Sequence, residues 1–146
     1  MPPPRQEPTG LHLTRVARVV SRAFDDALGA AGGSLPVWLV LISLKARRLP
    51  NQRQIAESIG IQGATLTHHL NAMEADGVVT RRRDPTNRRV HVVELTKAGD
   101  ALFLRLRDAA VAFDRQLRAG LKEEEIASFT RVLDRLGANV ASHDEP

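Results

Sequence analysis

Apolar residues recur three and four positions apart along most of this chain, a period that predicts a mainly helical fold. Glycines, prolines and short polar breaks divide the pattern into six stretches. The predicted helices cover about residues 13–28, 35–47, 52–59, 63–76, 97–119 and 123–140. The stretch 35–47 is apolar on nearly every side, so we expect it to be the buried central helix of the fold.

Several boundaries carry residues that typically begin or end a helix. Ser34, Asn51 and Thr96 each precede a helical stretch, where a side-chain oxygen can accept a backbone N–H. Gly60 ends the third stretch and is suited to a left-handed helix terminus. The boundaries therefore predict two short helices, joined by a tight glycine-containing turn, directly after the central helix.

The period changes between residues 78 and 95, where β-branched residues replace the helical pattern. Turn-forming residues occupy 84–89, so the segment predicts a two-stranded β-hairpin. Five arginines fall within the nine residues 81–89, which contain a single acid, Asp84: Arg81, Arg82, Arg83, Arg88 and Arg89. Crowding of like charge favours a binding role, and a solubilising edge hairpin is the alternative.

Composition narrows the classes of protein. A chain of 146 residues with 42% apolar and 26% charged residues is typical of one globular domain. The absence of cysteine excludes disulfides and thiol chemistry. No stretch resembles a secretory signal or reaches the length of a membrane span, so we expect a cytoplasmic protein without a membrane partner.

The positive charge is concentrated in the centre of the chain. The formal net charge is +4, but residues 45–97 alone carry +5 and the remainder carries −1. A basic segment with neutral flanks is the pattern of a module that binds a polyanion. A merely solvated basic surface would give the same count.

The helix predicted over 63–76 has the features of a DNA recognition helix. Leu66, Leu70 and Met73 share one face and should point inward. The other face carries short polar or small side chains that suit base edges and phosphates: Gln62, Ala64, Thr65, Thr67, His68 and Asn71. Asn51 and Arg53, at the preceding short helix, are expected to add contacts to DNA. The alternative is that this face is simply exposed to solvent. Such faces usually carry Lys, Glu or Arg, whereas this one has none of these before Glu74.

These elements predict a mainly α fold of the α+β class, a winged helix-turn-helix with a two-stranded β-hairpin wing. We expect a flexible arm over 1–10 and a DNA-binding region over 34–96. The regions 11–33 and 97–146 should supply N- and C-terminal dimerisation helices, because their apolar seams lie outside the DNA-binding region. The expected interface residues are Leu13, Val16, Val20, Phe113, Leu117, Ile126, Phe129, Leu133, Leu136 and Val140.

Several segments together resemble the MarR family of winged-helix transcriptional regulators. They include Ala64-Thr65-Leu66-Thr67-His68-His69-Leu70, Met73 to Val79, Asp84-Pro85-Thr86-Asn87-Arg88-Arg89 and Leu95-Thr96-Lys97-Ala98-Gly99. The resemblance implies a homodimer that binds a palindromic operator in double-stranded DNA, usually as a repressor released by a small ligand. The wing-tip arginine of the family falls on Arg89. Asn87 replaces its wing aspartate, which removes a salt-bridge acceptor and leaves the tip more positive.

The resemblance also implies an effector pocket between the dimerisation helices and the DNA-binding region, suited to an aromatic ligand. The residues expected to line it are His12, Val16, Trp38 and Phe103, with Arg15 or Arg18 offering a charge, although a purely structural Trp38 in the core is the favoured interpretation. No cofactor or metal is expected, because adjacent His68 and His69 face different ways on a helix. No nucleophile stands at motif spacing from a base, so we expect no enzyme. The rival hypothesis is an architectural nucleic-acid-binding protein that responds to no ligand.

Overall fold

The structure, a computed structural model, describes residues 6–141 and contains eight elements within that range. They are α1 (Thr9–Ala30), α2 (Leu35–Lys45), α3 (Gln52–Ile59), α4 (Gly63–Ala75), β1 (Val79–Arg83), β2 (His91–Leu95), α5 (Lys97–Leu117) and α6 (Glu123–Ala141). The prediction of a mainly α winged helix-turn-helix is therefore confirmed. The chain divides into two compact units, and the boundary in the sequence falls between Val111 and Ala112.

Helix α2 forms the centre of the first unit, as its all-round apolar pattern predicts. It packs against α1, α3, α4 and β2. Val40 and Leu41 are fully buried, and only Lys45 of the helix is exposed. Leu66 and Leu70 of α4 complete the same core, so the two short helices obtain from α2 the apolar support that they are too short to supply themselves.

The predicted helix caps are present. The backbone N–H of Val37 donates to Ser34 Oγ at 3.3 Å, and that of Arg53 donates to Asn51 Oδ1 at 2.8 Å. Gly60 ends α3 with a φ of 78°, a left-handed conformation that glycine adopts without strain. These three residues therefore set the length of the helix-turn-helix elements.

Some boundaries differ from the prediction. Helix α1 begins at Thr9, so Thr9 and Gly10, the end of the predicted arm, are helical because Pro8 at the N-cap can lead directly into a helix. Residues 1–5 lie outside the described part of the chain. Helix α2 ends at Lys45, two residues early, as the chain turns toward Pro50.

The two strands pair antiparallel, with a register from Val79 opposite Leu95 to Arg83 opposite His91. A second attachment fixes the hairpin to the start of α3: the N–H of Val93 donates to the carbonyl of Pro50 at 2.8 Å, and Asn51 forms a bridge with Val92. The base of the wing is therefore held by main-chain bonds to the helix-turn-helix.

Within residues 6–141, no single helix is both long and apolar enough to cross a membrane. Helices α1 and α2 together would pass that test of length and composition, but they are bent by 75° at the break between them.

Candidate nucleic-acid interface

The recognition helix predicted from the sequence is α4, and its buried side fixes which side chains face outward. Leu66, Leu70 and Met73 are buried in the core. Five of the six predicted contact residues are exposed on the other side: Gln62, Ala64, Thr65, His68 and Asn71. Neither α3 nor α4 has an acidic residue in its first turn, so the positive end of each helix dipole is free to attract a phosphate.

Thr67, a predicted DNA contact, also has hydrogen-bond partners within the protein. It is half-buried, and its hydroxyl accepts a hydrogen bond from Gln52 Nε2 at 2.7 Å while donating to the carbonyl of Gly63 at 2.9 Å. The proton of the hydroxyl and one of its two acceptor sites are thus used within the protein. Thr67 therefore joins α4 to α3 through Gln52, a residue without a predicted role, and its contact with DNA stays a prediction.

Two of the five predicted wing arginines are also engaged within the protein. The Arg81 guanidinium binds Asn71 Oδ1 and Glu74 Oε1 of α4. Arg82 forms an ion pair with Glu94 on β2, with Nη2 and Oε1 2.9 Å apart. The expectation that all five arginines contact DNA stays a prediction, and two of the five are paired within the protein in this structure.

Arg81 also perturbs its acidic partner. Its hydrogen bonds hold the pKa of the Glu74 carboxyl below the ordinary value, because they favour the charged form. Neither Glu74 nor Glu94 was a predicted site residue. The signal for Glu74 was its place at the end of α4, because a chain that reverses at Gly77 brings β1 back beside that end.

Arg83, Arg88 and Arg89 keep free guanidinium groups, with no hydrogen bond or ion pair to any residue that the structure describes. All three are exposed. Their side chains therefore carry the positive charge that the wing presents to solvent.

The turn that carries Arg88 and Arg89 is ordered by its own side chains. Asp84 Oδ1 accepts from the hydroxyl and the backbone N–H of Thr86, at 2.7 and 2.8 Å, and these bonds lower the pKa of Asp84. Asn87 Oδ1 accepts from the backbone N–H of Arg89 at 3.2 Å. Asn87 thus shapes the turn without placing a carboxylate beside the arginine.

A groove of about 630 Å³ brings the helix-turn-helix and the wing together. Residues from the start of α3, the start of α4 and the wing line it, among them Asn51, Arg53, Thr67 and Arg89. Asn51 serves as the cap of α3, whereas the Arg53 side chain is 87% exposed and pairs with Glu57 at 3.3 Å. Two residue sets that are distant in sequence, around Arg53 and Arg89, therefore border one basic concavity.

The predicted effector-pocket residues separate into two groups. Trp38 is buried and stacks on Phe103, with ring centroids 5.5 Å apart. His12 and Arg15 lie on α1 beside Glu7, which Arg15 binds at 2.8 Å. Trp38 and Phe103 thus take part in core packing, the structural role already favoured for Trp38, and Val16 is exposed.

The predicted interface residues are apolar and largely uncovered. In the first unit, Leu13 and Val16 on α1 are exposed and Val20 is half-buried. In the second unit, α6 has no fully buried residue: Phe129 and Val140 are exposed, and Ile126, Leu133 and Leu136 are half-buried. At the end of α5, Phe113 is half-buried and Leu117 is exposed.

The histidines do not assemble into a metal centre in residues 6–141, where no group of three or more His, Cys, Asp or Glu side chains is placed to hold an ion. His68 and His69 lie edge to face, with ring centroids 5.8 Å apart.

A helix-turn-helix packed on a central helix and followed by a basic β-hairpin defines a winged-helix protein. The MarR family model matches residues 34–91. The chain carries a MarR-family domain over that segment, which confirms the resemblance in its sequence.

Solved structures of MarR-family regulators share the fold over most of their length. A mutant of MarR from E. coli in complex with operator DNA is 20% identical, with a TM-score of 0.79 over 87% of this chain and 91% of that one. The repressor CouR bound to a 23-mer DNA duplex is 26% identical, with a TM-score of 0.80 over 89% and 92%. The regulator PcaV from Streptomyces coelicolor, solved with its natural ligand, is 22% identical, with a TM-score of 0.77 over 92% and 98%.

Proposed function

We propose that this chain is a sequence-specific DNA-binding transcriptional regulator and not an enzyme. The observation that carries the proposal is the pairing of two surfaces: the exposed polar face of α4 and the unpaired arginines of the wing. Small side chains such as Ala64 and Thr65 can approach base edges closely, and free guanidinium groups neutralise phosphates or enter a minor groove. The structures of MarR and CouR with DNA support the same use of the fold. Such a regulator would act on DNA in the cytoplasm.

The proposal includes a homodimer on a palindromic site. The apolar side of α6 has no buried residue, and α1 exposes Leu11, Val16 and Val19. Surfaces of this kind are covered in obligate dimers, which commonly bury about 2,000 Å² or more. A two-fold dimer would present two recognition helices to half-sites about one turn of DNA apart, roughly 34–36 Å.

We further propose that the regulator is a repressor released by a small ligand. The support is the structure of PcaV with its natural ligand and that of CouR from Rhodococcus jostii RHA1 with p-coumaroyl-CoA. An aromatic carboxylate is the probe of choice. If a panel of aromatic carboxylates leaves DNA affinity unchanged, the rival hypothesis of a ligand-independent architectural protein gains support.

Selection of bound duplexes from a random pool tests sequence-specific binding, and salt titration tests its electrostatics. We expect a palindromic consensus from the selection. Three free wing arginines in each of two protomers would give a slope of about −5 for the logarithm of affinity against that of salt concentration. A slope near zero on the selected duplex would contradict the charge assignment, and a non-palindromic consensus would contradict the symmetric dimer.

Replacing Arg89 with alanine should weaken binding to operator and scrambled duplex alike. A long side chain at the wing tip contacts whatever backbone or minor groove it meets, so its loss should reduce the salt slope by about 1 per protomer. Thr65→Ala, in contrast, should cost about 1–3 kcal/mol on the operator and little on scrambled DNA. Arg115→Ala on α5 is the control for loss of one positive charge outside residues 34–96. Specific loss in Arg89→Ala, with uniform loss in Thr65→Ala, would reverse the assigned roles of wing and helix.

A further inference from the structure

A small hydrogen-bond network lies between the recognition helix and the first wing strand. The Arg81 guanidinium donates to Asn71 Oδ1 and, at 3.2 Å, to Glu74 Oε1. The backbone N–H of Arg81 also donates to Glu74 Oε2 at 3.1 Å. The Arg81 side chain is 19% exposed, whereas that of its neighbour Arg82 is 54% exposed. The Arg81 side chain therefore binds residues of α4, although a count of charges in the sequence does not distinguish it from the other wing arginines.

The chemistry of the guanidinium determines the orientation of the Asn71 amide. A guanidinium has five N–H donors and no acceptor, so it can bind only the oxygen of an amide. The alternative orientation, with the amide nitrogen toward Arg81, would oppose two donors. Asn71 is itself exposed, so its N–H groups are left for a ligand of α4.

We propose that Arg81 is a positioning residue for DNA recognition, which makes Asn71 present N–H donors to a base edge. This inference rests on the proposed function. A free asparagine reads adenine with both atoms of its amide: the oxygen accepts from N6 and the nitrogen donates to N7. With its oxygen held by Arg81, Asn71 should prefer edges rich in acceptors, which are guanine O6 and N7 or thymine O4.

Glu74 completes the network by holding Arg81 from two sides. Its carboxylate binds both the guanidinium and the backbone N–H of Arg81. A rotation of the wing strand away from α4 would break these bonds together with the bond to Asn71. The orientation of the Asn71 amide is therefore coupled to the position of β1 relative to α4.

The matched comparison is Arg81→Ala against Arg82→Ala. Both remove one positive charge and one ion pair from β1, but the partner of Arg82 is Glu94 on the wing itself. We expect Arg82→Ala to keep the base preferences of the unmodified protein. Arg81→Ala should lose about tenfold in discrimination at one position of each half-site, within the range for a single base contact. In an Asn71→Ala background, Arg81→Ala should cause no further change in base preference.

A charge-reversed pair separates positioning from simple stabilisation. Glu74→Arg with Arg81→Glu restores an ion pair between α4 and β1, but a carboxylate at position 81 accepts from the amide nitrogen of Asn71. The amide oxygen should then turn outward, so selection from a random pool should shift at that position toward cytosine N4 or adenine N6. Thermal unfolding of this variant reports whether the fold is intact.

Three results would overturn the inference. Arg81→Ala could retain the base preferences of the unmodified protein, it could behave like Arg82→Ala, or the charge-reversed pair could recover both stability and the original preference. An unmodified protein that selects no sequence at all would instead overturn the proposed function, and the inference with it.

Discussion

Replacing Leu133 and Leu136 with aspartate should abolish self-association and high-affinity binding to a palindromic duplex together. Both leucines are half-buried on the apolar side of α6, where Phe129, Val132 and Val140 are 57%, 54% and 72% exposed. An unpaired charge in a packed interface costs several kcal/mol, and the variant places two in each protomer. Loss of the second half-site should also remove the roughly 10²–10⁴-fold gain from bivalent binding.

The matched control adds the same two charges to the other side of the helix. Ala127→Asp with Ser128→Asp changes exposed positions that are turned away from the Leu133 and Leu136 seam. Analytical ultracentrifugation should show monomers for the seam variant and dimers for the control, with circular dichroism to verify folding. A folded seam variant that stays dimeric and binds the palindrome normally would show that α6 is not the interface.

The helices could be predicted from the spacing of apolar residues, because the residues on the buried side of a helix must be apolar. Leu66, Leu70 and Met73 recur at helical spacing, and all three are buried on the side of α4 that packs against α2 and α3. The helix caps could also be predicted from the sequence, because Ser34 and Asn51 accept hydrogen bonds from backbone amides only three and two residues further along the chain. Local bonds of this kind leave their signal in adjacent residue types.

Contacts between elements left no such signal. The period assigns Thr67 and Asn71 to the side of α4 away from the core, but it does not reveal that Gln52 and Arg81 reach them from neighbouring elements. Charge counting likewise gave equal weight to five wing arginines. Pairing of two of them with Glu74 and Glu94 depends on how β1 returns beside α4 and on the register of the hairpin.

Gly99→Ala should strongly destabilise the protein, although alanine normally favours a helix. A Cβ at position 99 would lie 2.1 Å from the carbonyl oxygen of Val78 and 3.0 Å from Leu95 Cδ2. The neighbouring Thr96 hydroxyl donates to the carbonyl of Gly77 at 2.6 Å, so the first turn of α5 rests on the backbone that leads from α4 into β1. A methyl group must displace that backbone or α5 itself.

The expected loss is about 1–3 kcal/mol of unfolding free energy or more, the usual range for an added group without space. Operator affinity should fall as well, because Val78 connects the recognition helix to the wing. Gly29→Ala on α1 is the control: nothing lies within 4 Å of its added Cβ, and removal of a helical glycine should stabilise by about 0.5–1 kcal/mol. Chemical denaturation at one fixed protein concentration, which keeps any contribution of self-association constant, measures both. Equal stability of the two variants would show that the backbone at Val78 or helix α5 can move at little cost in free energy, and that their contact does not hold the wing in place.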